Sequence, residues 1–384
     1  MLGTLSDSLH RGQVKENFDL IERNYDTDKL LPDDGRLLNQ WQRFAHKLKV
    51  MNQRAPKGVT YRLLYLGRHG QGYHNVGIMF YGDVAWDVSV AISLQSRFPD
   101  GNLILCHSRS FRSVLVTDRG FVLIQCYYGA FDRDPNVPSI TYLDAHLTPL
   151  GKHQAKTVST FWQNLISTQK MPLPQTYYSS PLTRAMQTAQ LTFSGLALPP
   201  SQTFRPVVKE FLREAYGIQS CDLRPTKSYI KTNFPDFRIE DSFTESDELH
   251  SPTRRESLRR HDRRVRALLD DVFAHDESTY ISMTSHCGTI KAMLRVVGHI
   301  ALSLPPGGVV PVLVKVSEVS GKRHDEEEKQ GWDTKPACES DPLKAGKDGY
   351  KDVGEFLDEI NRGVPELEGM VVNPTLTRML AGLA

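Results

Sequence analysis

Apolar residues in this chain fall into short runs that alternate with helical stripes. Leu63-Leu64-Tyr65-Leu66 is too short for a helix and is closed by Gly67, so it predicts a strand over about 61–66, buried on both faces. Tyr177-Tyr178-Ser179-Ser180, Phe204 to Lys209, Tyr280 to Thr284 and Val309 to Val316 predict further strands. Helical spacing lies between them. Trp41, Phe44 and Leu48 mark one helix; Thr148 caps and Pro149 opens a second, reaching Ile166. Leu182 to Phe193 predicts a third helix, and the segment from Ser285-His286-Cys287-Gly288 to about Val297 a fourth. Ser251-Pro252-Thr253 is set to cap a long basic helix from Arg254 to about Ala274. Leu258, Val265, Leu268, Leu269, Val272 and Phe273 form its apolar stripe, and its arginines are expected on the solvated face. Strands alternating with helices predict an α/β fold, a three-layer α/β/α sandwich with a mostly parallel central sheet.

The same pattern divides the chain. Residues 1–57 read as an extension packing on the core, 58–318 as a single domain, and 319–384 as a charged, largely disordered tail in which Val353 to Ile360 has the makings of a short docking helix. The 39% hydrophobic and 24% charged content is that of a globular domain, and a net charge of +2 supplies no field for nucleic acid or membrane. No run of about 18 apolar residues occurs and the N-terminus lacks a signal-like core, so a cytoplasmic protein is expected. Five widely spaced cysteines without a Cys-x-x-Cys pair predict reduced thiols, with neither a disulfide framework nor a zinc knuckle.

Chemistry enters where three strands end. The first strand runs into Gly67-Arg68-His69-Gly70, with glycines expected to let the backbone approach a bound group. Tyr177–Ser180 leads into Pro181-Leu182-Thr183-Arg184, placing Arg184 in the first turn of a helix whose free backbone donors could face the same anion. Tyr280–Thr284 ends in Ser285-His286. Taken singly, Arg184 reads as a surface ion pair and His286 as a core imidazole. Two arginines and two histidines at the ends of three strands read together as an oxyanion site, because clustered positive charge is costly without an anion.

These motifs carry a resemblance. Leu66-Gly67-Arg68-His69-Gly70-Gln71-Gly72-Tyr73-His74-Asn75, Ala145-His146-Leu147-Thr148-Pro149-Leu150-Gly151, Ser179-Ser180-Pro181-Leu182-Thr183-Arg184-Ala185-Met186-Gln187-Thr188, Leu212-Arg213-Glu214 and Ser285-His286-Cys287-Gly288 occur in this order. The chain resembles the histidine phosphatase superfamily, the phosphoglycerate-mutase-like proteins, and within it a fungal phosphomutase-like branch, over roughly residues 18 to 318. The resemblance implies that His69 is the nucleophile, that Arg68, Arg184 and His286 bind the phosphoryl group, that Asn75 supports the pocket and that Glu214 donates the proton, with Glu210 as a nearby competing carboxylate. It implies a small phosphorylated substrate, no cofactor and no metal. Hydrolase and mutase share these residues, their difference lying in lid segments such as Ala215 to His250. A non-catalytic phospho-ligand module would be expected to lack the nucleophile. Cys287 stands where many members have glycine.

One segment departs from the resemblance. Similar chains pass almost directly from a Tyr-Gly-x-x-x-Trp stretch through a Trp-Asp-Cys-Tyr-like run to Asp-Ala-His-Leu-Thr, whereas here Val88 to Gln125 separates Asp87 from Cys126. Val88-Ser89 can be encoded GTA-AGT, Gln125 as CAG and Thr117-Asp118 as ACT-GAC, which match intron donor, acceptor and branch signals. Residues 88–125 are therefore read as a retained in-frame intron of 38 codons; the competing reading is an inserted hairpin, from the strand character of Phe121-Val122-Leu123-Ile124.

Overall fold

In the computed structural model, residues 39–87, 90–93, 114–116, 121–124, 131–199, 202–251, 254–318, 346–362 and 364 are described. The expected disorder of 319–345 and 365–384, the start of the N-terminal extension (1–38) and most of residues 88–125 fall outside them. In chain order the elements are α1 (Gln40–Gln53), β1 (Val59–Arg68), α2 (Tyr73–Asp87), β2 (Val90–Ser93), β3 (Val114–Val116), β4 (Phe121–Ile124), α3 (Pro149–Gln169), β5 (Thr176–Ser179), α4 (Thr183–Phe193), β6 (Val207–Val208), α5 (Lys227–Asn233), β7 (Arg238–Ile239), α6 (Leu258–His275), β8 (Tyr280–Ser285), α7 (Cys287–Val296), β9 (Val309–Ser317) and α8 (Val353–Arg362).

β1 is the strand that the apolar run predicts. Side chains of a strand alternate between faces, and here both faces are covered. Leu64 and Leu66 join a core with Val265, Leu268 and Leu269 of α6 and Met293 of α7. Leu63 and Tyr65 join the opposite one, with Phe44 and Leu48 of α1, Val158 and Trp162 of α3 and Phe193 of α4. Burying each of these leucines contributes about 1.5–3 kcal/mol. The sheet order is β7-β6-β5-β8-β1-β9, parallel except for β9, which pairs antiparallel with β1. This is the three-layer α/β/α sandwich with a mostly parallel sheet.

Local signals located α3 well: Thr148 caps it through its side chain, which accepts from Gly151 N at 3.0 Å, and Pro149 occupies the first turn. The basic helix needs correction. α6 begins at Leu258 with Ser257 as its cap, because the preceding residues pair with the chain at 216–218 instead: Ile218 N donates to Ser251 O and Glu256 N to Tyr216 O. Its arginines are not all on a solvated face, since Arg264 is buried. The strand expected from Phe204 to Lys209 contracts to Val207–Val208, and α2 forms where the apolar pattern marked no helix, broken at Gly82 with φ 81°. α8 extends the expected docking helix. Its Val353 and Phe356 join Val76, Phe80 and Tyr142 in a third cluster, and Asn361 Oδ1 accepts from Leu150 N in the first turn of α3.

β2, β4 and β3 form a separate antiparallel sheet in that order and, among the described residues, pair with no strand of the larger one. The strand character of Phe121–Ile124 is thus realised, while Trp86 just before the segment is anchored in the third cluster, edge-on to Tyr142 at 4.9 Å. On the intron reading, deleting Val88–Gln125 leaves the anchored parts intact. A protein joined from Asp87 to Cys126 is expected to melt no lower than the full chain and to keep whatever activity the full chain has, and mature transcript to join those two codons. Uniform inclusion of the segment in message, together with inactivity of the deletion, would establish it as an evolved part of the domain.

Candidate active site

Sheet register sets the site. Arg68 lies opposite Ser285 and Ser179 opposite Thr284, so β1, β8 and β5 end level with one another and hand on His69, His286 and Ser180. The carboxyl edge of a parallel sheet is where open α/β folds bind ligands. His69 N donates to Ser285 O at 3.0 Å and Ser180 N to Thr284 O at 3.0 Å, extending the ladders one residue past the strands. The His69 and His286 rings lie 4.9 Å apart.

His69 Nδ1 lies 2.6 Å from Gly70 O. A carbonyl can only accept, so Nδ1 carries the proton and Nε2 keeps the lone pair. Burial, then the charges of Arg184 and Arg68, hold its pKa well below the ordinary histidine value, which keeps the ring neutral. Burial and the same arginines depress His286 likewise. Its Nε2 is 2.7 Å from Ser180 Oγ; with Ser180 donating, Nδ1 becomes a donor. Arg68 Nε, Arg184 Nε and His286 Nδ1 are all buried without a hydrogen-bond partner in the protein. Three orphaned donors around one neutral imidazole call for an acceptor-rich anion.

Arg184 is not an open fork. Its Nη1 donates to Cys221 O at 2.5 Å and its Nη2 pairs with buried Asp222 at 3.0 Å, which leaves Nε as the guanidinium nitrogen without a protein partner. The first backbone donor of α4 is also taken, contrary to expectation. Thr183 N and Oγ1 donate to the two oxygens of Asp144 at 2.9 and 2.5 Å, because Leu182 at the cap position has no side-chain acceptor of its own. Gly70 likewise serves a different purpose from the one predicted. A Cβ there would sit 2.3 Å from Gly151 O, and one at Gly151 would sit 2.0 Å from Gln71 O, so these glycines interlock the loop after β1 with the first turn of α3. Thr148 N donates to Gln71 O, and Asn75 Oδ1 accepts from Gly72 N at 2.9 Å, closing the turn behind His69.

Glu214 lies at the start of α7, where Gly288 N donates to its Oε2 at 2.9 Å and Ala215 N to its Oε1 at 2.9 Å. A Cβ at Gly288 would meet Oε1 at 2.2 Å. Glu210 is committed elsewhere, pairing with Arg213 at 2.8 Å and Arg224 at 2.7 Å. Arg213 also pairs with Asp247, fastening the 215–250 segment to the sheet. Among the described residues no group of three or more His, Cys, Asp or Glu is arranged to hold a metal, and no helix is long and apolar enough to cross a membrane.

The family model for the histidine phosphatase superfamily (branch 1) matches residues 140–349, more than half of the chain. The chain belongs to this superfamily. Arg184, Glu214 and His286 lie inside the matched range, and Arg68, His69 and Asn75 precede it. Among curated relatives, an Arthroderma benhamiae protein described as "Probable phosphoglycerate mutase" is 39% identical over 315 residues, 82% of this chain and 81% of that protein. The Candida albicans "Phosphomutase-like protein 3" is 32% identical over 284 residues, 73% of each. A phosphatase or mutase acting on small phosphorylated substrates is the activity the histidine phosphatase family supports.

The structure gathers Arg68, His69, Arg184 and His286 as the sequence proposes, sets Asn75 behind them and Glu214 at the edge. It adds His74, a buried third imidazole whose ring is 5.5 Å from His69 and whose Nδ1 has no partner in the protein. It adds Asp222 and Asp144 as well. The one available signal for His74 was its place in the loop motif; Asp222 gave none, because its pairing with Arg184 is made only by folding.

Burial pushes the Asp144 carboxyl up to about 7, against the lowering pull of Thr183 and Arg184. Asp144 therefore holds its proton more tightly folded than unfolded, and its contribution to stability is full below about pH 4 and lost as pH rises through about 7. Asp144 has a left-handed φ of 41°, which asparagine tolerates. Asp144→Asn is expected to remove that slope, so denaturation midpoints of wild type should fall relative to the variant as pH rises through 7. Parallel curves would show that Asp144 titrates alike in both states.

Proposed function

We propose that the protein is a phosphomonoester hydrolase that works through a phosphohistidine on His69. The observation that carries the reading is the set of buried, unpartnered donors on Arg68, Arg184 and His286 around an imidazole whose tautomer Gly70 O fixes. A phosphoryl group offers three equatorial oxygens for such donors, and its transition state is stabilised mainly by charge and position.

In the first step the Nε2 lone pair of His69 attacks phosphorus and the P–O bond to the leaving group breaks. Glu214 gives that alkoxide its proton. The phosphorylated ring is cationic, and Nδ1–H stays on Gly70 O throughout. Water then attacks phosphorus, Glu214 recovers a proton from it, the P–N bond breaks and inorganic phosphate leaves. Each transfer is assigned to a side chain, so the reading is metal-independent. The mutase alternative, favoured by the descriptions of the relatives, differs only in the second acceptor, a substrate hydroxyl in place of water.

Brief reaction with a chromogenic phosphomonoester is expected to leave an acid-labile, base-stable phosphoryl group on His69, absent from His69→Ala; full activity in that variant sinks the mechanism. Arg184→Lys loses the contacts to Cys221 O and Asp222, and kcat/KM should fall about 100-fold or more. Without any bisphosphate primer, phosphate release should match alcohol release. Turnover that requires a bisphosphate and frees little phosphate establishes the mutase instead.

A further inference from the structure

We propose that Arg264 is the positioning residue for Glu214, fixing the backbone from which that carboxyl reaches the reacting oxygen. The proposal rests on the reading of Glu214 as proton donor.

Arg264 is buried on α6, a helix whose other arginines gave no reason to single it out. Its Nη1 donates to Phe211 O at 2.7 Å and Arg213 O at 3.0 Å, and its Nη2 to Glu214 O at 3.2 Å. Nε and Nη2 also grip the two oxygens of buried Glu256, at 2.8 and 2.6 Å. All five guanidinium donors are thereby spent, three of them on the segment that ends in Glu214. The carbonyls of that segment are tied from other sides too. Ser285 Oγ donates to Leu212 O at 2.6 Å and Thr289 Oγ1 to Arg213 O at 2.7 Å. Four successive carbonyls are thus held by α6, β8 and α7 together. Ser285 precedes His286, so these bonds fix the proposed donor relative to a phosphoryl ligand on the adjoining residue.

A purely structural ion pair would need only Glu256. The planar fork instead divides itself between Glu256, which neutralises it, and the 211–214 backbone, a division that a lysine point charge cannot reproduce. Displacing a catalytic group by about 1 Å costs about 100-fold in rate.

The test compares kcat/KM, which reports the first chemical step, for phenyl phosphate and for 2,4-dinitrophenyl phosphate, whose leaving group needs no proton. Arg264→Lys is expected to raise the ratio of activated to unactivated ester about 100-fold, and Glu214→Gln to raise it at least as far. If Glu214→Gln moves the ratio while Arg264→Lys slows both esters equally, or neither, the positioning role falls and Glu214 keeps its own. If Glu214→Gln leaves the ratio unchanged, both fall. Should Arg264→Lys not fold, the double substitution Arg264→Gln and Glu256→Gln leaves no buried charge uncompensated. The same rise in ratio is expected there, and an unchanged ratio overturns the proposal.

Discussion

A guanidinium taken out of water must find its full set of acceptors within the protein, and this constraint organises the half of the molecule that bears the site. Arg264 meets it in full with Glu256 and three carbonyls, and Arg213 meets most of it with Glu210, Asp247 and Asp222 O, leaving Nε without a partner. In each case the acceptors come from segments far apart in sequence, so satisfying the charge also fastens loop 210–256 onto the sheet. Arg184 and Arg68 fall short of it beside the imidazoles. Each keeps a buried Nε without a partner in the protein, next to imidazoles that burial and these same arginines keep neutral. Unpartnered guanidinium nitrogens that converge on neutral imidazoles are what makes an anion site there economical to explain.

The loop that carries His69 is rigid for a different reason. Backbones of Gly70, Gln71 and Gly151 approach so closely that no side chain fits between them, and Thr148 serves both the cap of α3 and the carbonyl of Gln71. The Ala145–Gly151 motif therefore has a structural part in this chain: it fixes the turn that carries His69. On the proposed mechanism, rigidity here substitutes for reorganisation during reaction, since donors already in place need not move when charge develops.

What the sequence made legible was local. An apolar run ending at Gly67, a threonine before a proline, and basic residues at strand ends each constrain their own neighbourhood, and each reappears as a strand, a cap or part of the candidate site. Readings that required a distant partner went astray. Ser251 looks like part of a helix cap until Ile218 N claims its carbonyl; Arg264 looks solvated until residues 211–214 and Glu256 are folded around it. The α4 N-terminus looked free for an anion because Asp144, 39 positions earlier, is invisible as its cap in one dimension. Glu210 and Glu214 were separable only through Arg213 and Arg224, which commit one carboxylate and leave the other at α7.

Strand register then links these parts. His286 follows β8 directly, His69 follows β1, and Arg68 lies opposite Ser285, so the distance between the proposed nucleophile and the proposed phosphoryl ligand is a property of the parallel ladder. A one-residue slip would turn Leu64 and Leu66 away from α6 and α7 and carry His69 out of level with His286 at the same time. The apolar core on either side of β1 thus penalises the same errors that would disable the site. Ser285 extends this coupling to Glu214 through Leu212 O, which places the proposed donor, ligand and nucleophile in one frame defined by two adjacent strands.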